Sequence, residues 1–342
     1  MSLRNKTIRN IIGVITAAVQ MIAFTACDSL VYDDLEACPE GLRLRFVYDY
    51  NMEFANAFYS QVDCLTLLIY DKDGNYIATR TETTEALLSD ENWRMDLDLP
   101  AGEYNLVAYG GMECPKASFA FRTEPSGATS MHDLNVYLKP ELLTRPMGTE
   151  LHHLYYGRLN VTVNPENTDY TEATVYMMKD TNDLRIVLQH TDGTPVDYNE
   201  FTYELTADNT LLGWNNDVIP TGVTTFMPYA TGNAMAGIDG FTGNEVQAAY
   251  AEFSTSRFIN GAADTRLTIR RASDGGEVLS IPLIRYLLLL KSDEEQFKNM
   301  KPQEFLDRES RWKMVFFLTG NLWSQTHIII NDWVVRINDI GI

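Results

Sequence analysis

Cysteine and histidine are the side chains in this 342-residue chain that are best suited to do chemistry. Cys27 stands out because it directly follows Thr25-Ala26, an apolar run at 11–24 and a basic start at 1–10. A basic segment, an apolar segment and small residues before a cut form a secretory signal. A cysteine directly after such a cut is the residue that lipoprotein processing acylates. The pattern predicts a signal peptide at 1–26 and lipidation of Cys27.

The apolar run is too short to remain as a membrane span in the mature protein, because a span needs about 20 apolar residues. The blander alternative is that Cys27 is an ordinary thiol near a conventional cleavage site. Residues 27–40 carry five acids and no base. Like charges extend a linker, so we expect a solvated, acidic tether in this segment.

The charge of the chain excludes several kinds of partner. The formal net charge is -20, from 27 Lys+Arg and 47 Asp+Glu. Removal of 1–26 takes away three basic residues and no acid, which leaves 24 against 47, or -23. Nucleic acid is excluded because no basic excess offsets its phosphates, and electrostatic docking on anionic lipid is disfavoured. Any membrane attachment is therefore covalent or hydrophobic.

The remaining cysteines and the histidines predict structure rather than a metal centre. With Cys27 acylated, Cys38, Cys64 and Cys114 allow one disulfide and one leftover thiol, and the sequence leaves the pair open. Zinc is a poor alternative, because no two of these cysteines are close in sequence and no histidine cluster accompanies them. The adjacent pair His152-His153 would point to opposite faces of an extended segment, which favours a structural or exposed role.

Motifs for catalysis and for cofactors are absent from the sequence. It has no nucleophile elbow, phosphate-binding loop or dinucleotide fingerprint, so we expect no catalytic residue, metal or cofactor. Asp71-Lys72-Asp73-Gly74 resembles the start of a calcium loop, but it lacks the glycine at the sixth position and the distal glutamate. Because Asp-Gly marks a hairpin turn, we expect a hairpin there.

The dominant period from residue 41 onward is two, which indicates β-strands. Residues 42–50 and 93–99 alternate between apolar and polar side chains, whereas 62–70 are apolar on both faces, as in a central strand. Residues 292–311 predict one or two short helices broken at Pro302. Further strands are expected at 104–109, 159–163, 174–178, 184–189, 201–205, 266–270, 278–290, 314–318 and 327–337.

The strand pattern predicts an all-β fold of antiparallel sandwiches with a short helical insertion near the C-terminus. Pro140, Pro146 and Gly148 interrupt the alternation, and strands tolerate such residues poorly. We therefore expect two tandem domains, at 41–143 and 150–342.

Several segments in a fixed order resemble one family. They are CPEGLRLRF at 38–46, VDC at 62–64, YDKDGNY at 70–76, LVAYGG at 106–111, IPLIRYL at 281–287, QEFLDRE at 303–309, MVFFL at 314–318 and IINDWVVRIN at 329–338. Behind a lipoprotein signal, this set resembles the FimB-type fimbrial anchor and assembly lipoproteins of Bacteroidales, over nearly the whole chain.

The resemblance implies a fold, a place and a partner. The fold would be two tandem transthyretin-like, Greek-key β-sandwich domains. The place would be the outer membrane, with a lipid anchor exposed at the cell surface. The partners would be the pilin subunits of a type V fimbria, whose base such proteins seat and whose length they limit.

Strand addition is the contact that the resemblance implies between subunits. One chain donates an extended segment to a sheet edge of another. Proteolytic loss of the first strand, which opens the groove in polymerising relatives, would here release the body from its lipid. We therefore expect 41–50 to stay in place and the segment 327–342 to make the contact. Its candidate donor residues are Ile328, Ile330, Trp333, Val335 and Ile337. The alternative is that 327–337 is the last internal strand.

Two other functions remain open from the sequence. The chain could be a lipid-anchored surface adhesin or a glycan-binding protein at a fimbrial tip, since its tyrosines and tryptophans could form a sugar-binding face. In a sandwich, most of these rings belong in cores or cross-strand pairs. A surface glycan hydrolase would need two facing carboxylates, and nothing singles out such a pair among 47 acids.

Overall fold

The computed structural model describes residues 41–143, 150–164, 169–238, 245–293, 295–320, 322–331 and 333–336. Strands account for 48% and helices for 14% of the structure, and several sheets pack in a sandwich-like arrangement. The predicted all-β sandwich fold with a helical insertion near the C-terminus is confirmed.

The first sheet has seven strands in the order β3-β2-β5-β8-β9-β1-β4. Its strands are β1 (Leu42–Val47), β2 (Leu65–Asp71), β3 (Tyr76–Glu82), β4 (Met95–Leu97), β5 (Gly102–Gly110), β8 (Tyr155–Val163) and β9 (Thr171–Lys179). β8 pairs with β5 along its whole length but with β9 at only three positions. The sheet therefore folds over between β8 and β9, and its two leaves enclose one core. Leu44 and Phe46 from one leaf and Leu67 and Leu106 from the other belong to this core.

A three-stranded sheet covers the outer side of β2 and β5. It contains β6 (Phe119–Phe121), β7 (Asn135–Leu138) and β12 (Leu211–Gly213). Leu68 and Tyr70 of β2 join the core on this side, whereas Leu67 and Ile69 face the other core. Burial on both faces explains why 65–70 has apolar residues on both sides, and the prediction of a central strand there is confirmed. The predicted turn that follows is also present, with Gly74 at φ 83 in the β2–β3 hairpin.

Two further sheets form the second sandwich. One has the order β14-β15-β10-β18-β19-β20, and the other has the order β13-β11-β16-β17. The strands are β10 (Thr181–His190), β11 (Phe201–Ala207), β13 (Thr224–Phe226), β14 (Ala230–Ile238), β15 (Glu245–Ser256), β16 (Arg266–Arg271), β17 (Glu277–Pro282), β18 (Arg311–Thr319), β19 (Leu322–Ile330) and β20 (Trp333–Arg336). Ile186, Phe253 and Phe316 from the larger sheet and Leu205 and Ile269 from the smaller one are buried in the same core.

Part of one predicted strand is a helix in the structure. The helices are α1 (Phe58–Gln61), α2 (Glu85–Leu88), α3 (Leu283–Asp293) and α4 (Pro302–Arg308). Residues 278–290 were predicted as one strand, but β17 ends at Pro282 and α3 follows at once. Leu283, Leu287 and Leu290 are buried on one helical face, the spacing of a helix packed against a core. Pro302 starts α4 because its fixed φ suits the first helical turn.

No helix in the described part of the chain is both long enough and apolar enough to cross a membrane.

The first sheet runs across the boundary that the sequence predicts. β8 and β9 follow residue 150, yet they pair with β5 and β1. A cut at 143–150 would therefore divide one hydrogen-bonded sheet. The sequence does not encode such long-range pairing in its local pattern, and whether 41–143 and 150–342 are separate folding units stays a prediction.

Candidate functional site

The first strand is held between two neighbours. β1 runs parallel to β9 over six residue pairs and antiparallel to β4 over three. Leu42 and Leu44 are completely buried, and the ring of Phe46 lies 5.6 Å from that of Phe58. Gly41, directly before the strand, has φ 145, and a Cβ at this position would clash with the Leu97 carbonyl oxygen. Only glycine fits this entry to β1.

A charged pair fixes the outer face of β1. The guanidinium of Arg43 donates two hydrogen bonds of 2.8 Å to the carboxylate of Asp96 on β4. The same guanidinium lies 4.6 Å from the centre of the Tyr170 ring, which precedes β9. The hydrogen bond from Arg43 lowers the pKa of Asp96. Arg43 therefore ties β1 to its neighbours on both sides.

The predicted donor segment is a hairpin rather than a single strand. β19 and β20 pair antiparallel at four positions, and the chain turns at Asn331, whose φ is 48. The Asn331 side chain accepts a hydrogen bond of 2.7 Å from the backbone N–H of Lys313 and donates one of 3.1 Å to the Arg311 carbonyl. Asparagine tolerates this left-handed conformation better than most residues. The prediction of one strand over 327–337 is wrong for this reason.

The hairpin separates the predicted donor residues into two groups. Ile328 and Ile330 lie in β19, between β18 and β20, and both are completely buried. They form part of the internal core, as the alternative interpretation expects. Trp333 and Val335 lie in β20, which is the edge strand of the sheet. Ile337 lies outside the described residues.

The structure pairs two of the cysteines. A disulfide joins Cys64 and Cys114, whose Cα atoms are 6.2 Å apart. The ligand atoms of Asp63, Cys64, Cys114 and His152 all lie within 4.8 Å of one another. Sequence spacing gave no sign of this cluster, because 50 residues separate the cysteines. The disulfide uses both sulfur atoms. Cys27 and Cys38 lie outside the described residues.

The two adjacent histidines contact different carboxylates. His152 Nε2 lies 2.9 Å from Asp63 Oδ2, and His153 Nε2 lies 3.2 Å from Asp183 Oδ2. Asp183 also meets the ammonium of Lys179 at 3.3 Å. Burial alone would raise the pKa of Asp183, but its contacts with His153 and Lys179 hold it at about 2. Both histidines lie just before β8. His152 connects this segment to Asp63, and His153 connects it to Asp183 in β10.

A buried polar cluster surrounds the link between β9 and β10. Asp180 is the single residue between these strands and is completely buried. The amide of Asn216 donates a hydrogen bond of 2.8 Å to Asp180 Oδ1. Burial raises the pKa of Asp180 to about 7, although the positive charge of Arg257 opposes the shift. Arg257 itself makes two hydrogen bonds of 2.8 Å with Asp307 on α4.

A second cationic contact joins α4 to the segment after β1. The guanidinium of Arg308 lies 4.1 Å from the ring centre of Tyr50 and 4.6 Å from that of Phe54. Its Nε donates a hydrogen bond of 3.0 Å to Glu304 Oε1. Phe54 has φ 52 and is 59% exposed, which is uncommon for a large apolar residue. Arg308 therefore connects the first sandwich with the helix that leads into β18.

Comparison with known proteins identifies the family. The sequence profile of the fimbrillin-A associated anchor proteins Mfa1 and Mfa2 matches residues 35–339. No curated protein matches the chain. A proposed adhesin from Bacteroides thetaiotaomicron is 51% identical over 89% of this chain and 100% of its own, with a TM-score of 0.83. A solved structure from the same species, described as proposed polysaccharide-binding proteins, is 32% identical over 86% of this chain and 97% of its own, with a TM-score of 0.72.

The fold is also shared with a fimbrial anchor protein. The fimbrial anchor protein Mfa2 from Porphyromonas gingivalis has a TM-score of 0.63 over 87% of this chain and 99% of its own, at 16% identity. The resemblance to fimbrial anchor proteins that the sequence segments indicate is confirmed. With a profile match that extends from residue 35 to residue 339, the chain belongs to the family of fimbrillin-A associated anchor proteins Mfa1 and Mfa2.

Proposed function

We propose that the chain is a non-enzymatic outer-membrane lipoprotein that anchors a type V fimbria and helps to assemble and limit it. Membership of the anchor family over residues 35–339 carries this proposal. The signal pattern before Cys27 and the acidic segment 27–40 support a lipid anchor and a tether to the body. Family members that belong to a fimbria act at the cell surface, where its subunits are the expected partners.

Any membrane attachment is covalent or hydrophobic, because the charge of the body disfavours electrostatic adsorption. The mature chain would carry a net charge of -23, and anionic headgroups repel such a surface. One acyl chain binds a membrane only marginally and reversibly. We therefore propose that Cys27 carries several acyl chains, as a fully processed lipoprotein does.

The pairing of β1 supports a role in bearing tension. A pull on the lipid reaches β1 at its Leu42 end, whereas the load leaves β9 at its Lys179 end, toward β10. The strands are parallel and paired over six positions, so these pulls act at opposite ends. Tension then shears all six pairs together instead of separating them one by one. A chain that keeps β1 in place is suited to terminate a polymer at the membrane.

The position of β20 at an edge of the sheet, among the described strands, supports strand addition as the contact with a fimbrial subunit. An edge strand presents unpaired N–H and C=O groups that a second chain can pair with. β20 has one neighbour in its sheet, and residues 337–342 continue from it. We propose that β20 and these last residues form the contact, while Ile328 and Ile330 remain in the core.

Acylation is tested by labelled palmitate and by the location of the fimbriae. In the Cys27→Ala variant we expect the label to be lost and the fimbriae to be shed into the medium. Ser29→Ala, two residues away in the same tether, is the matched control and should keep both properties. Label that persists in Cys27→Ala, or unlabelled wild-type protein, would contradict the lipid anchor.

The contact is tested by removing residues 338–342. We expect the truncated protein to fold and to stay on the cell, but to hold fewer fimbriae. Asn338→Ala keeps the length of the tail and is the control. Normal fimbrial attachment in the truncated protein would rule out a donor tail that ends there.

Adhesion is the second candidate function. It rests on the proposed adhesin from Bacteroides thetaiotaomicron, which is 51% identical to this chain. A glycan array separates the two functions. A lipid-free protein that binds a defined glycan while fimbriae stay attached in its absence would favour the adhesin.

A further inference from the structure

Four side chains that can bind a metal ion meet at one end of the first sheet. Asp63 and Cys64 directly precede β2, Cys114 follows β5, and His152 precedes β8. Gly110, at the end of β5, pairs with the first residue of β2 on one side and with the first residue of β8 on the other. The antiparallel pairing therefore brings three distant parts of the chain to the same end of neighbouring strands.

Backbone contacts hold this end of the sheet in place. The Gly111 N–H donates a hydrogen bond of 3.0 Å to the Cys64 carbonyl, and the His152 N–H donates one of 2.8 Å to Ser118 Oγ. Gly111 has φ 83, and a Cβ there would clash with the His153 carbonyl oxygen. Only glycine lets the segment after β5 come so close to the residues before β8. The fold therefore fixes the distance between these segments.

The imidazole of His152 is oriented like that of a metal-binding histidine. Its Nε2 donates a hydrogen bond of 2.9 Å to Asp63 Oδ2, because the carboxylate can only accept one. Nδ1 then presents a lone pair, which faces Cys114 Sγ at 3.7 Å and the Gly111 carbonyl oxygen at 3.4 Å. All three atoms are electron-rich, so a cation suits the space between them. A carboxylate that holds the far nitrogen of a metal-bound histidine is a recurring arrangement.

The distances fit a tetrahedral zinc ion. With a Zn–S bond of about 2.3 Å and a Zn–N bond of about 2.0 Å, two ligand atoms lie about 3.5 Å apart. Cys114 Sγ and His152 Nδ1 are 3.7 Å apart, and the ligand atoms of all four side chains lie within 4.8 Å of one another. Two cysteines and a histidine are soft and borderline donors, which zinc prefers over calcium or magnesium.

A second group of potential ligands shows the contrast. The ligand atoms of Glu150, His153 and Asp183 also lie within 4.8 Å of one another. There the ammonium of Lys179 lies 3.3 Å from Asp183 Oδ2, so a positive charge already neutralises that carboxylate. Asp63 instead pairs with His152. The cysteine cluster is therefore the better metal site of the two.

The cysteine cluster lies at the boundary between core and solvent. Cys64 is 1% exposed and closes the inner side of the cluster. Cys114 is partly buried, and the side chain of Asp63 on the outer side is 57% exposed. A small thiol and a metal ion can thus approach from the Asp63 side.

We propose that this cluster binds Zn²⁺ when the disulfide between Cys64 and Cys114 is reduced. The ligands are the two Sγ atoms and His152 Nδ1, and Asp63 orients the imidazole. The ion replaces the disulfide as the cross-link between the start of β2 and the segment after β5. The first sheet then stays fastened in reducing surroundings, whether or not the chain holds a fimbria.

The exchange of the two cross-links balances. Two molecules of a thiol are oxidised to their disulfide and supply the two electrons and two protons that convert the Cys64–Cys114 disulfide into two thiols. Zn²⁺ then displaces one proton from each of these thiols, and both protons go to the solvent.

The test measures metal binding by the purified full-length protein with Cys38→Ser, which removes another thiol that could bind metal. One sample is reduced with a thiol that is then removed under anaerobic conditions, and the other stays oxidised. Both are titrated with Co²⁺, whose absorption spectrum reports thiolate ligands and tetrahedral geometry, and then with Zn²⁺. We expect one Co²⁺ per reduced chain, its displacement by Zn²⁺, and at least hundredfold weaker binding by the oxidised chain.

Matched variants assign the binding to the cluster. Cys114→Ser should abolish the thiolate-to-cobalt absorption of the tetrahedral site. His152→Asn keeps the disulfide and should weaken zinc binding at least tenfold after reduction, whereas His153→Asn changes the adjacent histidine and should bind as the parent does. Asp63→Asn should weaken binding about tenfold to a hundredfold, because it no longer fixes the imidazole.

Four results would overturn the proposal. They are a reduced chain that binds no Co²⁺, equal binding by the oxidised and reduced chains, equal losses of affinity in His152→Asn and His153→Asn, and a reduced chain whose circular dichroism shows lost strands that Zn²⁺ does not restore.

Discussion

The two ends of the described chain are held in opposite ways. β1 has a neighbour on each side, β9 on one and the short edge strand β4 on the other, whereas β20 lies at an edge of its sheet and, among the described strands, pairs with β19 alone. The first strand is therefore suited to bear load, and the last is suited to meet another chain. In the function proposed above, β1 serves the attachment to the cell and β20 the attachment to the fibre.

Leu44 and Leu322 compare a leucine in the core behind β1 with one on the surface of β19, the strand beside β20. Leu44 in β1 is fully buried, whereas Leu322 in β19 is 60% exposed. We expect Leu44→Ala to lower the free energy of unfolding by roughly 2–5 kcal/mol, because it leaves a cavity in the core. The same change at Leu322 should cost less than about 0.5 kcal/mol. Urea unfolding measures both, and similar losses at the two positions would break the comparison.

The disulfide next to β2 should make the next largest contribution. Cys64 and Cys114 close a loop with a sequence separation of 50 residues. We expect the Cys64→Ser, Cys114→Ser variant to lose roughly 2–4 kcal/mol of stability, since the cross-link restricts the unfolded chain. Hydrogen exchange should rise in β2 and β5 more than in β19. If exchange rises equally in both regions, the disulfide does not support the first sandwich selectively.

Asp180 tests the link that joins the two regions. Its pKa is about 7 in the folded protein, against an ordinary value near 3.9. Between these values the folded state holds a proton that the unfolded state has lost, so stability falls as the pH rises from about 4 to 7. Asp180→Asn should reduce this slope by up to about 1.4 kcal/mol per pH unit.

The neighbouring carboxylate provides the control for this pH dependence. Asp183 has a pKa of about 2. Its stabilising effect is complete above the unfolded value and is lost as the pH falls toward 2. Asp183→Asn should therefore alter the acid limb and leave the slope between pH 4 and 7 in place. An unchanged slope in Asp180→Asn would contradict the assignment.

Arg308 should have a smaller effect on stability than Leu44 or the disulfide. We expect Arg308→Ala to cost about 1 kcal/mol, because the guanidinium stacks on Tyr50 and Phe54 at a partly exposed site. Arg80→Ala on the edge strand β3 removes the same charge without such stacking. If the two variants have equal stabilities in thermal unfolding, Arg308 does not fasten the two regions together.

Local pattern predicted the elements that depend on local causes. The apolar run of β2 and the turn at Gly74 follow from burial on two faces and from a positive φ. The prediction of a strand over residues 283–290 was wrong because a short apolar run has no period that distinguishes a strand from a helix. The hairpin at Asn331 was missed because the apolar residues continue beyond it in β20.

The sequence pattern did not predict the long-range contacts. The pairing of β9 with β1 joins residues about 130 positions apart in the chain, and no local signal specifies it. The choice of Cys64 and Cys114 likewise needed the spatial proximity of β2 to the segment after β5.

We propose that the tether behind the lipid holds the fibre on the cell. A site-specific protease sequence placed within residues 28–40 tests it on intact cells, with the unmodified chain as control. We predict that the added protease releases the fimbriae into the medium with the body of this protein at their base. Release of the body while the fimbriae stay on the cells would contradict the account.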